Sequence, residues 1–180
     1  MSKNILLVGL LSLALLGATF LSDQGVFDLG LKDNAPLPKP ELGQAIPDFK
    51  FYTWQDDPYR LTEFKGKTIL VHFWASWCTP CLTEFPALID FARTHQDKVV
   101  VIALSLDKNN NHIKRFLGSQ IDSLPPYFYV GIDRDQTIAH DVMGTFKLPE
   151  TYVISPDGIL KQKIEGVKDW SDPKTAQDIF

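Results

Sequence analysis

The stretch Phe73–Cys81 (FWASWCTPC) holds the only two cysteines of this 180-residue chain, at positions 78 and 81. It continues the run Thr68–Ala75 (TILVHFWA), whose unbroken apolar and β-branched residues are typical of a strand covered on both faces. From Thr79 to about His95, apolar residues recur at the spacing of a helix. The cysteine pair is therefore predicted to lie where a buried strand ends and a helix begins.

Three uses of such a cysteine pair can be compared. As a structural staple it contributes little, because a loop this short hardly restricts the unfolded chain. A zinc site needs two further ligands, and the four histidines show no ligand spacing. At a helix start, unpaired N–H groups and the helix dipole stabilise a thiolate on Cys78, Pro80 presets the first turn, and Cys81 can attack a mixed disulfide. The residues predict a dithiol–disulfide exchanger that uses neither a metal nor another cofactor.

The rest of the chain alternates strand and helix patterns and then forms a hairpin and a last helix. This order predicts an α/β fold with a βαβ opening. The expected elements are an opening strand at Phe49–Tyr52, a short turn at Leu61–Gly66, a buried strand at Lys98–Leu106, a helix at Asn109–Leu117, a strand at Tyr127–Val130, a hairpin of Thr151–Ile154 with Ile159–Ile164, and a helix that begins at Ser171-Asp172-Pro173 with a serine cap.

The amino-terminal segment differs in character from the rest of the chain. Lys3 precedes an apolar run from Ile5 to Leu21, which as a helix spans roughly 25 Å, just short of a hydrocarbon core of about 30 Å. The candidate cleavage site after Ala18 is a poor match, so residues 1–22 are predicted to be an uncleaved signal-anchor, with a cleaved signal peptide as the alternative. Residues 23–42, with alternating prolines, are predicted to be a linker to a globular domain at residues 43–180 that faces away from the cytoplasm.

A family resemblance extends well beyond the cysteine motif. FWASWCTPC, preceded by KGKTILVH and followed by LTEFP, resembles the membrane-anchored TlpA/ResA-like thiol–disulfide oxidoreductases and the related CcmG (DsbE), within the thioredoxin superfamily. The resemblance runs from about Gly43 to Val167 and includes Pro47–Phe49 (PDF), Arg60–Lys67 (RLTEFKGK) and Leu148–Ile154 (LPETYVI). It implies a thioredoxin-like fold, in which a central mixed β-sheet is flanked by helices.

The resemblance also implies roles for residues near the cysteine pair. Pro149 matches the cis-proline of the family, and the backbone of Leu148 is expected to hydrogen-bond a bound peptide. Glu84, one helical turn after Cys81, matches a glutamate that tunes the thiols and helps to move protons in ResA-like members. A partly buried carboxyl at that position is expected to have a raised pKa and to act as a base for Cys81.

Four further features are assigned in the same way. Glu150 matches the glutamate that follows the cis-proline in CcmG-like members and is expected to border the site. His72 replaces a buried aspartate of cytoplasmic thioredoxins, and it either relays a proton to Cys81 or is a neutral core residue. Trp77 is expected to shield the disulfide. The segment Met143–Lys147 is longer than the usual approach to the cis-proline, which predicts an unusual substrate rim.

The resemblance implies a protein disulfide reductase that acts on exported proteins with cysteine pairs, especially apocytochrome c during cytochrome c maturation. Its electrons are expected to come from an integral-membrane thiol carrier. A reductant for copper-site assembly, an oxidant of exported proteins and a thiol-based metallochaperone are the alternatives. The net charge of −4, without a basic cluster, argues against a nucleic-acid partner. The chain is expected to be a monomer on the bacterial cytoplasmic membrane, facing the periplasm or other extracytoplasmic space.

Overall fold

A computed structural model describes residues 39–118 and 124–180 of the chain. In these residues seven strands form one mixed sheet, in the order β2-β1-β5-β4-β3-β6-β7. The pairs β3–β4 and β4–β5 are parallel, and the other neighbours are antiparallel. The strands are β1 (Lys50–Thr53), β2 (Pro58–Arg60), β3 (Thr68–Trp74), β4 (Val99–Ser105), β5 (Phe128–Ile132), β6 (Glu150–Ile154) and β7 (Leu160–Glu165).

The described residues also form three α-helices, a 3₁₀ turn and a π-helical segment. The helices are α1 (Thr79–Thr94), α2 (Asn110–Leu117) and α3 (Pro173–Ile179), with the 3₁₀ turn at Leu61–Phe64 and the π-helical segment at Ile138–Met143. The α/β order predicted from the sequence is confirmed, while β2 and the π-helical segment were not predicted.

The predicted serine cap of the last helix is wrong. Helix α3 is capped by Asp172, whose side chain accepts a hydrogen bond from the Lys174 amide. The Ser171 hydroxyl instead donates to Asp169, so it is not available to the helix. Both residue types are good caps, and the local hydrogen bond decides between them.

Strands β3 and β4 form the centre of the core, and every residue in both is buried. Helices α1 and α2 cover one face of the sheet, where Trp74, Phe85 and Phe116 meet with ring centroids 4.6–5.5 Å apart. The π-helical segment lies on the other face, where the Tyr152 hydroxyl donates to the carbonyl of Met143. A strand that is covered on both faces needs an unbroken apolar run, which is the pattern of Thr68–Trp74.

The strand register brings the features predicted for the site to one edge of the sheet. In the antiparallel pairing of β3 with β6, His72 lies opposite Thr151 and Phe73 lies opposite Glu150. The parallel pairing of β3 with β4 places Trp74 opposite Ser105. The start of β6 and the ends of β3 and β4 therefore meet where the chain leaves β3 for helix α1.

Among the described residues, no helix is both long enough and apolar enough to cross a membrane. The signal-anchor predicted for residues 1–22 lies outside the described part of the chain, as does most of the predicted linker.

Candidate active site

The two cysteines form a disulfide at the amino end of α1, with their Cα atoms 5.3 Å apart. Cys78 is the N-cap residue, Pro80 lies in the first turn, and the Leu82 amide donates the first helical hydrogen bond to the Cys78 carbonyl. Cys78 keeps 6% of its surface exposed, whereas Cys81 is fully buried. The predicted placement is confirmed, and Cys78 is the less buried of the two cysteines.

A buried carboxylate holds the loop that leads into the cysteine motif. Asp107, two residues beyond the end of β4, is 1% exposed and accepts hydrogen bonds from the amide and the hydroxyl of Ser76, both at 2.8 Å. The Ser105 hydroxyl also donates to Asp107, at 2.7 Å. Ser76 precedes Cys78 by two residues, so Asp107 links the loop that carries Cys78 to the end of the central strand β4.

Removal of the Ser76 hydroxyl should therefore weaken this loop. We expect Ser76→Ala to lower the free energy of unfolding by about 1–2 kcal/mol, because a buried carboxylate loses one of its donors. Ser171→Ala is the matched control, since that hydroxyl also donates to an aspartate but on an exposed loop. Denaturant unfolding of the oxidised proteins measures both values, and an equal loss in the two variants would contradict a special role for Asp107.

Trp77 stands beside the disulfide with 66% of its surface exposed. It lines a groove of about 380 Å³ between the cysteine motif and helix α2. The other residues that line the groove are Ser76, Leu82, His112, Arg115 and Phe116. The exposed indole is available to a bound protein, and its predicted role as a shield for the disulfide stays a prediction.

Pro149 immediately precedes β6, and the Leu148–Pro149 peptide bond is cis, as the family resemblance predicts. The carbonyl of Pro149 accepts a hydrogen bond from the Gly166 amide at 2.9 Å. Since β6 is paired with β3, Pro149 lies at the same end of these two strands as the cysteine motif, which follows β3. Leu148 is partly buried, and its predicted hydrogen bonds to a peptide stay a prediction.

Glu150 is buried, and its carboxylate has hydrogen-bond and ion-pair partners within the protein. It accepts a hydrogen bond from the Thr145 hydroxyl and forms an ion pair with Lys163, at 3.0 Å from the Lys163 Nζ. The Tyr152 hydroxyl lies 2.9 Å from the same carboxylate and shares its single proton between Glu150 and the Met143 carbonyl. Burial raises the pKa of Tyr152 to about 12, and the neighbouring Glu150 adds to the rise. Glu150 therefore fixes the segment around Pro149 from the inside, and its expected place on the substrate rim stays a prediction.

The long approach to Pro149 contains the π-helical segment and a left-handed turn. Gly144 has φ of 73°, a conformation that favours glycine, and the following Thr145 is fully buried. Phe146 is 65% exposed and stacks on the ring of His140, with centroids 5.0 Å apart, while Lys39 lies over the Phe146 ring at 4.5 Å. The segment is held in place by the buried Thr145 and presents an exposed aromatic ring next to it. This arrangement is consistent with the unusual substrate rim that the length of the segment predicts.

Glu84 is buried on helix α1, one turn beyond Cys81. One carboxylate oxygen, Oε2, accepts a hydrogen bond from the Lys168 amide at 2.8 Å. Burial raises the pKa of Glu84 to about 7, and the Lys168 amide and the Trp170 indole only partly oppose the rise. A carboxyl that titrates near neutral pH can both take up and release a proton under working conditions.

His72 is fully buried in β3, on the face that α1 covers. Its Nδ1 lies 2.9 Å from the Thr151 hydroxyl, and its Nε2 lies 3.7 Å from Oε1 of Glu84. Burial lowers the pKa of His72 to about 3, so the imidazole is neutral at physiological pH. The structure thus brings His72 and Glu84 together, which the sequence analysis did not predict.

Several residues that complete the site were also missed by the sequence analysis. Asp107 and Thr151 belong to different strands or loops from the cysteines, and Lys168 acts through its backbone amide, which no side-chain pattern reveals. Of these residues, only Asp107 could have been suspected from the sequence, because it is a carboxylate directly after a predicted buried strand. In the described part of the chain, no group of three or more His, Cys, Asp and Glu side chains is arranged to hold a metal ion.

Comparison with known proteins places this geometry among thiol–disulfide exchange proteins. A model of the AhpC/TSA family matches residues 42–163. The chain is 34% identical over 139 residues to the thiol:disulfide interchange protein DsbE of Pseudomonas aeruginosa, an alignment that covers 76% of this chain and 73% of that protein. It is 32% identical over 169 residues to the thiol-disulfide oxidoreductase ResA of Bacillus cereus, covering 92% and 91% of the two chains.

Solved structures show the same fold at lower sequence identity. The thioredoxin domain of a thiol-disulfide oxidoreductase from Bacteroides vulgatus has a TM-score of 0.62 at 19% identity, covering 78% of this chain and 99% of that one. StoA from Bacillus subtilis has a TM-score of 0.59 at 22% identity, covering 74% and 99%. The mixed sheet with helices around it is therefore a thioredoxin-like fold.

Proposed function

Since this chain belongs to the AhpC/TSA family and is a thiol–disulfide oxidoreductase of the DsbE/ResA type, we propose that it reduces disulfide bonds in exported proteins. The observation that carries the proposal is the Cys78–Cys81 disulfide at a helix start, with Glu84 one turn behind it. The first cysteine is less buried than the second, at 6% against 0% exposure, and an asymmetry of this sense suits a two-step exchange.

The proposed reaction moves two electrons from the protein to its substrate. The Cys78 thiolate attacks one sulfur of the substrate disulfide, which forms a mixed disulfide and releases the other substrate sulfur as a thiolate. Cys81, after losing its proton, attacks the Cys78 sulfur, which closes the Cys78–Cys81 disulfide and releases the second substrate thiolate. The two substrate thiolates take up two protons, and the protein is left oxidised, as in the described structure.

Apocytochrome c, whose haem-binding site contains a C-x-x-C-H motif, is the substrate that we propose on the basis of the resemblance to CcmG. The segment of residues 1–22 is proposed to anchor the chain in the cytoplasmic membrane, with residues 43–180 on the outer side. An integral-membrane thiol carrier is then the proposed source of electrons. The names of the relatives, an interchange protein and an oxidoreductase, support the exchange chemistry, and the apolar amino-terminal run supports the proposed anchor.

A direct test uses the reduced full-length protein and a disulfide-closed peptide that contains C-x-x-C-H. We expect one equivalent of peptide to be reduced per equivalent of protein, faster than by glutathione at the same thiol concentration. The Cys78→Ser variant is the control, because it keeps one thiol but loses the proposed nucleophile. Separation of the peptide forms by mass gives the rate and the direction of exchange.

The other outcomes of this assay separate the alternative functions. If the oxidised protein closes the reduced peptide faster than the reverse reaction occurs, the protein is an oxidant. If the reduced protein binds one equivalent of Cu(I) tightly and leaves the peptide disulfide intact, it is a metallochaperone. Reduction of a peptide that carries the disulfide of a copper site, in preference to the C-x-x-C-H peptide, would assign it to copper-site assembly.

A further inference from the structure

Two buried polar atoms on neighbouring elements face each other without a hydrogen-bond partner. Among the described residues, neither Nε2 of His72 nor Oε1 of Glu84 has a partner, and the two atoms are 3.7 Å apart. Both side chains are almost completely buried, at 0% and 2% exposure. Buried polar atoms are normally satisfied, so a facing pair of unsatisfied atoms needs an explanation. A closure of about 0.5 Å would bring them within the range of an N–H···O hydrogen bond.

The other polar atoms of the two side chains are already occupied by groups from other elements. Thr151 on β6 contacts Nδ1 of His72, and the Lys168 amide, after β7, donates to Oε2 of Glu84. The Trp170 indole also favours the charged form of Glu84, and the Lys168 ammonium group is paired with Asp178. On helix α1 itself, Cys81 is the ionisable neighbour one turn away.

The remaining buried carboxylates of the described chain belong to other places. Glu150 lies on the opposite face of β6 from Thr151, because successive side chains of a strand alternate. Asp107 is held by Ser76 and Ser105, and Asp133 accepts from the amide of Ala139 in the π-helical segment. The Trp170 indole, whose Nε1 also has no hydrogen-bond partner among the described residues, can only donate a hydrogen bond. His72 is therefore the neighbouring side chain that can pair with Glu84 in both its charged and its protonated form.

Because His72 contacts the Thr151 hydroxyl, its imidazole can form a hydrogen bond with either the protonated or the charged form of Glu84. A neutral imidazole carries a proton on one nitrogen and a lone pair on the other, and a hydroxyl can either donate or accept. With the proton on Nδ1, which then donates to Thr151, Nε2 accepts from a protonated Glu84. With the proton on Nε2, which then donates to the Glu84 carboxylate, Nδ1 accepts from the Thr151 hydroxyl. In both forms the imidazole stays neutral and every facing atom has a partner.

We propose that His72 is a positioning residue that sets the proton affinity of Glu84 by changing tautomer as Glu84 gains or loses its proton. This inference rests on the proposed function, in which Glu84 takes the proton that Cys81 must lose before it attacks. The balance is one proton: the Cys81 thiol becomes a thiolate and the Glu84 carboxylate becomes a carboxylic acid. His72 carries a single proton in both forms. The change of tautomer releases a proton from one ring nitrogen and takes one up at the other, with water as the acceptor and the donor.

The tautomer change can be measured in the unaltered full-length protein, in its oxidised form. The ¹⁵N chemical shifts of the imidazole distinguish a protonated nitrogen from a bare one, and the ¹³Cδ shift of Glu84 reports its carboxyl. We expect Nε2 to be bare below the titration midpoint of Glu84 and protonated above it, with Nδ1 changing in the opposite sense. Loss of the ¹³Cδ signal in Glu84→Gln identifies the carboxyl. Ring shifts that stay constant while Glu84 titrates would overturn the proposal.

A matched pair of variants tests the same inference by its effect on Glu84. His72→Gln can place its amide near the position of Nε2 and keep a partner for Glu84, whereas His72→Asn can replace only Nδ1. We expect the Glu84 midpoint to rise by about one pH unit in His72→Asn and to stay close to the unaltered value in His72→Gln. His72→Asn loses a hydrogen bond to both forms of Glu84, but the charge-assisted bond to the carboxylate is stronger than the neutral bond to the protonated form. Equal midpoints in all three proteins would contradict the proposal.

The same variants separate this inference from the proposed function. In the resolving step, measured as decay of the mixed disulfide against pH, His72→Asn should shift the profile to higher pH while His72→Gln restores it. A merely structural role for His72 would lower the rate at every pH without such a shift. A protein that did not exchange disulfides at all would contradict the proposed function. The ¹⁵N and ¹³C titrations would still show whether His72 changes tautomer as Glu84 titrates.

Discussion

The Cys78→Ser variant is expected to lose disulfide exchange by more than about 1,000-fold, whereas Cys81→Ser is expected to accumulate mixed disulfides with its substrate. Cys78 is the N-cap of helix α1 and retains exposed surface, while Cys81 is fully buried in the first turn. The helix end stabilises a thiolate on Cys78, and the thiolate is the attacking species. Without Cys81 the attack still occurs, but nothing releases the bound substrate.

The two variants serve as controls for each other. Both lack the Cys78–Cys81 disulfide, so any general effect of its loss on folding is shared, and only the identity of the remaining thiol differs. Non-reducing electrophoresis followed by mass analysis identifies the trapped species and the cysteine that carries it. If Cys78→Ser traps substrate and Cys81→Ser does not, the order of attack is the reverse and the argument from the helix end fails.

The fold was predictable from the sequence where local pattern and burial agree. The run Thr68–Ala75 and the periodic residues after Thr79 each have one secondary structure compatible with their pattern, and both are found as predicted. The strand Pro58–Arg60 was not predicted because it has only three residues and gains its structure from pairing with β1. The π-helical segment Ile138–Met143 follows no standard period, so periodicity could not reveal it.

The site was predictable only as far as sequence neighbours determine it. The positions of Cys78, Cys81 and Pro80 follow from the strand-to-helix transition, and the cis bond before Pro149 follows from the resemblance. The contact between His72 and Glu84 joins a strand to a helix across the core, so it depends on packing that no local pattern encodes. The amide that donates to Glu84 was also not predictable, because every residue type except proline has a backbone N–H.

The Glu84→Gln variant is expected to slow the resolving step by about 100-fold, the lower range for general-base catalysis, while capture of substrate by Cys78 changes little. Glutamine keeps the shape of the side chain but cannot take the proton of Cys81. In the unaltered protein the resolving rate should rise with pH through about 7, where Glu84 becomes a carboxylate, and this rise should disappear in the variant. Asp90→Asn, an exposed carboxylate on the same helix, is the matched control.

The same substitution should have an opposite effect on stability. Burial raises the pKa of Glu84 from 4.5 to about 7, and a change of this size corresponds to about 3 kcal/mol of unfolding free energy. Because the folded state holds the proton more tightly, this contribution is fully present below pH 4.5 and is lost as the pH rises through about 7. The oxidised Glu84→Gln protein should thus resemble the unaltered protein near pH 4 and exceed its stability by up to about 3 kcal/mol near pH 8.

Denaturant unfolding of the oxidised full-length proteins at both pH values measures this difference, and Asp90→Asn should follow the unaltered protein at each. An equal stability of Glu84→Gln and the unaltered protein at the higher pH would mean that the Glu84 carboxylate is not costly to bury. A variant that is more stable at neutral pH but slower in resolution would show that Glu84 lowers the stability of the fold while it serves the reaction. That combination is what we expect of a buried proton acceptor one helical turn from Cys81, because the environment that raises its pKa into the working range is the one that makes its charge unfavourable.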